Sequence, residues 1–230
     1  MSSCIILGSR SEIGMGLADL LLKDGWVVDG WARSGKLPYL QWNLCIIAMG
    51  TVAPVGLWHE VDQQDWEESI RSNILIPIKL LRQMWKYRLP DASICFMAGS
   101  NPNMIMDGYS AYNVGKMALL KAVEQLDHET QDAKFFALGP GICDTKIHKA
   151  TLEANWPNRK LEEARREMRF TPIKSIYDCL KWCIAQPKSI IGGRNICVSD
   201  PWDQGWLPEW LEADPSLFKL RRKELRLPKQ

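Results

Sequence analysis

The sequence predicts an α/β fold, a doubly wound parallel sheet of about six strands with helices on both faces. Three observations predict it. Short β-branched runs alternate with longer stretches of helical period, the pattern of a parallel sheet covered on both sides. The strands end in small or glycine-containing loops, "GSRSEIG", "AMG", "AGS" and "GPGICDT", which in an open α/β sheet line the ligand crevice. Finally, 230 residues at 46% hydrophobic suffice for one well-buried domain and fall short of two of typical size. A single domain over residues 1–200 is expected, with an extension over 201–230.

The elements follow in order. "CIIL" is the first strand and "EIGMGLADLLLKD" the helix behind it; "WVVDGW" and "LCIIAMG" are the next two strands. From Asp65 to about Tyr87 the spacing of Ile70, Ile74, Ile78, Leu81 and Trp85 predicts one long helix. "ASICFMAG" is a strand, Tyr109 to about Thr130 a helix, and "KFFALGPG" a strand stopping at Pro140. Two helices, "PNRKLEEARREMR" and "PIKSIYDCLKWCIAQ", precede the last strand, "NICVSD".

Composition narrows the function. A net charge of +2 with 24% charged residues supplies no single-sign field for nucleic acid or an anionic membrane; "KLRRKELR" is the local exception. The first residues carry no basic region before their four-residue apolar run, so no secretory signal is expected. The apolar stretch "NLCIIAMGTVAPVGLW" is broken by Gly50, Pro54 and Gly56, so no membrane span is expected either. Seven cysteines without a C-x-x-C pair, four of them (Cys4, Cys45, Cys95, Cys197) inside apolar runs, suit a reduced, cytoplasmic setting. His59, His128 and His148 lack ligand spacing, and no metal site is expected.

In "GSRSEIG", Gly8 closes the first strand and Gly14 lies in the first turn of the following helix. The segment offers backbone amides and a helix N-terminus to a pyrophosphate. Further on, "YSAYNVGKMALLKAVEQL" places Tyr112 and Lys116 on one helix face, a turn apart. A phenol near pKa ~10 is a poor acid–base catalyst at neutral pH, and a neighbouring ammonium would lower it usefully by about 2 to 3 units.

These marks resemble the short-chain dehydrogenases/reductases in their compact single-domain form, over about residues 3–200. The family's G-x-x-x-G-x-G maps to Gly8, Glu12 and Gly14, with glutamate in place of the middle glycine. "IIAMG" is similar to the N-A-G turn after the fourth strand, with Ala48, Met49 and Gly50 in its place. "GPGICDT" resembles the P-G-x-x-x-T segment at the nicotinamide side, mapping to Pro140, Gly141, Ile142 and Thr145. The resemblance implies a Rossmann-type sheet and a dinucleotide held by these residues together with Arg10, Ser11, Ile13, Tyr112 and Lys116.

It also implies a catalytic set. Tyr112 is the proton donor and acceptor, Lys116 its electrostatic partner and ribose ligand, and Asn73 in "IRSNILIPIKLL" the anchor of a relay water. The family's serine commonly stands thirteen residues before the tyrosine, where this sequence has Gly99; Ser100 falls twelve before and is the expected partner, with Ser110 as the alternative. The substrate is expected to be a small carbonyl or alcohol compound, with Tyr109 and Trp156 lining its pocket. Between "WVVDGWARSG" and "LCIIAMG" only about eight residues replace the family's helix–strand–helix, which predicts six strands rather than seven and a more open adenine pocket. Where NAD-specific relatives carry an acidic residue at the end of the second strand, this chain has Ala32 followed by Arg33. Asp29 comes too early, and Arg33 with Arg10 favours NADP(H) over NAD(H).

The resemblance further implies a homodimer or homotetramer built on the helices of Asn73 and Tyr112. Two other functions remain in view: a non-catalytic dinucleotide-binding regulator of the same fold, and a sugar-nucleotide epimerase or dehydratase, disfavoured by the lack of an added substrate domain. Trp202, Trp206 and Trp210 in the extension suit either a strap on their own domain or an arm onto a neighbouring subunit.

Overall fold

A computed structural model describes residues 2–32, 35–99, 104–154 and 156–221. The elements are β1 (Ser3–Leu7), α1 (Glu12–Lys23), β2 (Val27–Trp31), β3 (Trp42–Ile47), α2 (Gln63–Ile70), α3 (Ile76–Met84), β4 (Arg88–Met97), α4 (Ser110–Glu129), β5 (Ala133–Gly139), α5 (Lys149–Glu153), α6 (Arg159–Arg166), α7 (Ile173–Ala185), α8 (Lys188–Ile191), β6 (Asn195–Cys197) and α9 (Leu207–Ala213). The six strands pair in parallel in the order β2-β1-β3-β4-β5-β6. The connection over 32–41 adds no strand among its described residues, so β2 is the sheet edge there.

Alternation along the strands divides the core between two faces. Cys4 and Ile6 pack with Leu17 and Leu21 of α1 and with Ile176 and Leu180 of α7. Ile5 and Leu7 turn the other way, toward Leu80, Leu81 and Met84 of α3 and Leu119 and Val123 of α4. Burial of each Leu or Ile is worth roughly 1.5–3 kcal/mol, and this two-sided apolar filling holds the carboxyl ends of the strands in one row. All seven cysteines are buried.

The long helix expected from Asp65 to Tyr87 is interrupted. A π turn over Arg71–Leu75 separates α2 from α3, and a 3-10 turn at Trp85–Tyr87 ends the run. Two local causes act together. Asn73 Nδ2 donates to the Ser69 carbonyl four residues back, at 2.9 Å, competing with the helical ladder. Pro77 has no amide to offer the carbonyl of Asn73. The inserted residue rotates the buried stripe to Ser69, Ser72, Asn73, Pro77, Leu80, Leu81 and Met84, leaving Ile70, Ile74 and Ile78 half-buried.

The extension packs on its own domain. Leu207 and Leu211 of α9 bury against Ile190 of α8. Arg194, 2% exposed, donates to the carbonyls of Asp214 and Leu217 at 3.2 and 2.7 Å and to that of Leu211. Trp202 donates to Val198 O at 3.1 Å, while Trp206 and Trp210 stay exposed with rings 5.4 Å apart. For these residues the strap is the observed arrangement. Most of "KLRRKELR" lies outside the described residues.

Candidate active site

The turn from β1 into α1 is built around Gly8. Its φ of +93° and the 2.5 Å that would separate an added Cβ from the Ala48 carbonyl oxygen admit only glycine. Gly8 N and Ser9 N donate to Trp31 O, which ties the loop to the end of β2. Ser11 caps α1 by accepting from Gly14 N at 3.0 Å. Among the described residues the amides of Glu12 and Ile13 keep no such bond, which leaves the N-terminal pole of α1 open to an anion.

Glu12 makes a long-range contact. Its Oε1 accepts from the Lys146 amide at 3.3 Å and lies 3.7 Å from Lys146 Nζ. A carboxylate at the middle-glycine position therefore bridges the loop before α1 to the loop after β5. No local pattern could reveal this, because the partners are 134 residues apart.

At the other wall, Asn73 is fully buried. Its Nδ2 donates to Thr51 O at 2.8 Å as well as to Ser69 O, and its Oδ1 accepts from Thr51 N at 3.3 Å. These bonds fix the loop after β3, where Ala48, Met49 and Gly50 line the cleft. Gly115 lets α4 approach, since a Cβ there would stand 3.0 Å from Asn73 Cβ. One turn of π helix thus braces both the β3 loop and α4.

Tyr112 and Lys116 point into the same cleft from α4. Lys116, 5% exposed, donates to Met97 O at 2.9 Å at the end of β4, and its ammonium lies 5.8 Å from the Tyr112 ring centroid. Burial lowers the lysine to a pKa of about 8 and raises the phenol to about 12. The expected lowering of the phenol by the lysine is reversed in the free protein: desolvation outweighs an ammonium that faces the ring and makes no hydrogen bond to the hydroxyl among the described residues.

A Cβ placed on Gly99 would sit 3.6 Å from Tyr112 Oη, so the position thirteen residues before the tyrosine is the one beside the phenol. Ser100 and Arg33 lie outside the described residues. Ser110, the alternative serine, is engaged elsewhere: its Oγ accepts from Trp66 Nε1 at 3.0 Å.

Arg10, Ser11, Ile13, Pro140, Gly141, Ile142 and Thr145 join these residues around one continuous cleft of about 890 Å³. Gly8 and Gly14 shape its floor without lining it. Tyr109 also lines the cleft but is 3% exposed, with its hydroxyl held by Thr151 Oγ1 and Asn158 Nδ2, each at 2.9 Å. Trp156 stacks on Gly108 and donates to Asp107 O at 2.7 Å. It buttresses the wall and is absent from the lining. His148 lines the cleft with Nε2 3.1 Å from Cys143 O; burial lowers its pKa. Asn158 was legible in the sequence only as a helix cap, which it also is, accepting from Leu161 N at 3.0 Å. No cluster of metal-ligating side chains occurs among the described residues, and no helix there is long and apolar enough to cross a membrane.

The fold is shared with known structures. The fold is similar to that of a short-chain dehydrogenase/reductase from Saccharomyces cerevisiae, at 18% identity and TM-score 0.74, covering 87% of this chain and 97% of that one. It is also similar to a small-chain dehydrogenase solved with NADPH (17%, TM-score 0.73, 85% and 95% covered). A third similar structure is a 4-hydroxyisoleucine dehydrogenase solved with NADH (16%, TM-score 0.70, 88% and 98% covered). A search of curated protein sequences finds no match. The model of the short chain dehydrogenase family matches residues 40–156, just over half of the chain. The chain therefore belongs to the short-chain dehydrogenase family and is an NAD(P)-dependent oxidoreductase.

Proposed function

We propose that this chain transfers hydride between NADP(H) and a carbonyl or alcohol substrate, with Tyr112 as the proton donor and acceptor. The observation that carries the reading is the convergence, in one cleft, of the open α1 pole and the Tyr112–Lys116 pair, braced by Asn73. The chain fits a dinucleotide: Gly8 permits close backbone approach and the Glu12 and Ile13 amides face an anion, while the Pro140–Thr145 loop lines the same cleft. When bound, the dinucleotide supplies or accepts the hydride.

The remaining work falls to side chains of the chain. Tyr112 Oη, kept protonated by burial, delivers its proton to the oxygen of a carbonyl as negative charge develops there, and takes it back in the reverse direction. Lys116, pinned by Met97 O, holds positive charge beside the phenol and toward the ribose. Asn73 has its side-chain amide committed to Thr51 and Ser69, so its main-chain carbonyl, to which Pro77 cannot donate, is the acceptor we assign to a relay water. Ser100 is assigned to orient the substrate oxygen.

For the choice of dinucleotide, Arg10 lies exposed at the cleft, and Asp29 Oδ1 accepts from Gly30 N at 2.7 Å, within its own strand. With Ala32 and Arg33 following, no carboxylate is offered to a ribose at the strand end, which supports NADP(H). Calorimetric titration with all four nicotinamide dinucleotides, joined to a carbonyl and alcohol screen followed by cofactor absorbance, tests both parts. NADP(H) should bind more tightly, and Arg33→Ala should erase the preference. NAD(H) binding equally well would overturn the cofactor assignment; binding without any turnover would turn the reading to a dinucleotide-binding regulator.

A further inference from the structure

The substrate half of the cleft lies between the loop before α4 and the segment from Ile142 to α6. It holds many polar side chains, but among the described residues those of its inner wall are paired within the protein, and Lys146 and Lys149 are in ion pairs with Glu12 and Glu153. Tyr109 Oη, Thr151 Oγ1 and Asn158 Nδ2 are joined at 2.9 Å, and Asn158 Oδ1 accepts from Leu161 N at 3.0 Å. His148 Nε2 is on Cys143 O at 3.1 Å.

Apart from Thr145, Lys146, Lys149 and Glu153, the described surface left to a substrate is largely apolar. Met104, Met106, Ile142, Ile147 and Leu161 line it. Of these, Met104 is 44% and Ile147 37% exposed. Even Lys160 at the mouth turns its ammonium to a thioether, Met104 Sδ, at 3.3 Å. Asn113, beside Tyr112, is the lining amide without a side-chain partner among the described residues, and it stands at the reacting end.

From this arrangement, and resting on the oxidoreductase reading above, we infer that the substrate is a carbonyl compound, or its alcohol, with an extended apolar body, and not a polyhydroxylated sugar. A polyol in this half would lose water from several hydroxyls and find most donors and acceptors of the inner wall already paired, which costs affinity for each unmatched hydroxyl. An alkyl or aryl body needs no such partners, and flexible thioethers accommodate its shape.

A homologous series of methyl ketones, compared with aldohexoses of matched carbon number, tests the inference. For the ketones, kcat/KM should rise by roughly fourfold per added methylene until the half-cleft is filled. The aldohexoses should stay at least about 100-fold below the matched ketone. Met106→Gln should flatten the methylene dependence while leaving the dinucleotide Kd unchanged, and Met104→Gln serves should that loop tolerate the first change poorly. Turnover with a flat series, or sugars outpacing ketones, overturns the class and leaves the oxidoreductase reading standing. Dinucleotide binding with no turnover of either series sinks that reading and the class together.

Discussion

Lys116 faces the ring of Tyr112, with its ammonium 5.8 Å from the ring centroid and hydrogen-bonded to Met97 O at 2.9 Å. In this arrangement the lysine cannot stabilise a phenolate by direct contact, and burial keeps the phenol protonated up to about pH 12. Spectrophotometric titration of the free protein, compared with Tyr112→Phe, should show one late-ionising tyrosine lost in the variant. Oxidised dinucleotide should move that ionisation down by about 2 to 3 units by bringing positive charge to the hydroxyl side. Tyr112→Phe should lower kcat by about 10²–10⁴-fold with the dinucleotide Kd nearly unchanged. Retention of most activity would remove Tyr112 from the chemistry.

Holding Lys116 charged in a buried site costs stability. Its pKa falls from 10.5 to about 8 on folding, so the folded chain binds fewer protons than the unfolded chain between those values. Stability from this group therefore rises with pH across that window. Tyr112 acts oppositely: with its pKa raised from 10.0 to about 12, its contribution is lost as pH climbs between them. Lys116→Met should stabilise the fold by about 1–3 kcal/mol at pH 7 while abolishing turnover, and the gap should narrow above pH 8. Chemical denaturation at three pH values checks this, and a destabilised variant at pH 7 would contradict it.

Gly99 is the residue beside the Tyr112 hydroxyl, with ordinary contact space for a side chain at 3.6 Å. If Ser100 supplies the orienting hydroxyl, Ser100→Ala should cut kcat by about 10- to 1,000-fold, and Gly99→Ser placed in that variant should restore part of the loss. Unchanged turnover in Ser100→Ala would remove that serine from the assignment.

Glu12 brings negative charge to the pole of α1 where a pyrophosphate is expected, and Lys146 partly neutralises it. Glu12→Gly should tighten dinucleotide binding by roughly three- to tenfold, and Lys146→Ala should weaken it by a similar factor, both effects shrinking in high salt. In the double variant the two changes should not add. Calorimetry showing no change in either single variant would exclude an electrostatic role.

The flank that the π turn leaves uncovered carries half-buried Ile70, Ile74 and Ile78, with Leu75 57% and Val114 49% exposed on the adjoining surface. We expect these to meet across a two-fold axis in a homodimer or a tetramer built from it. Light scattering should give an oligomer at micromolar concentration, with Leu75→Glu shifting it toward monomer; a wild-type monomer would refute the interface.

What could be read in the chain was whatever depends on neighbours in sequence. The six strands follow from short apolar runs, and Tyr112 and Lys116 share a face because four residues make about one helical turn. The turn at Gly8 is legible because a glycine commonly stands where a strand turns sharply into a helix. Tertiary structure decided everything that depends on what crosses the cleft. The pKa order of Tyr112 and Lys116 was set by desolvation, which comes from the walls that α4 packs against and not from the four-residue spacing. Periodicity made the helix of Asn73 look continuous, since a π turn arises where a buried amide back-bonds and a proline withholds a donor. The bridge from Glu12 to Lys146 and the Tyr109–Thr151–Asn158 network were likewise invisible, because each joins residues more than forty positions apart. A sequence pattern records local geometry; burial and partnership belong to the assembled crevice.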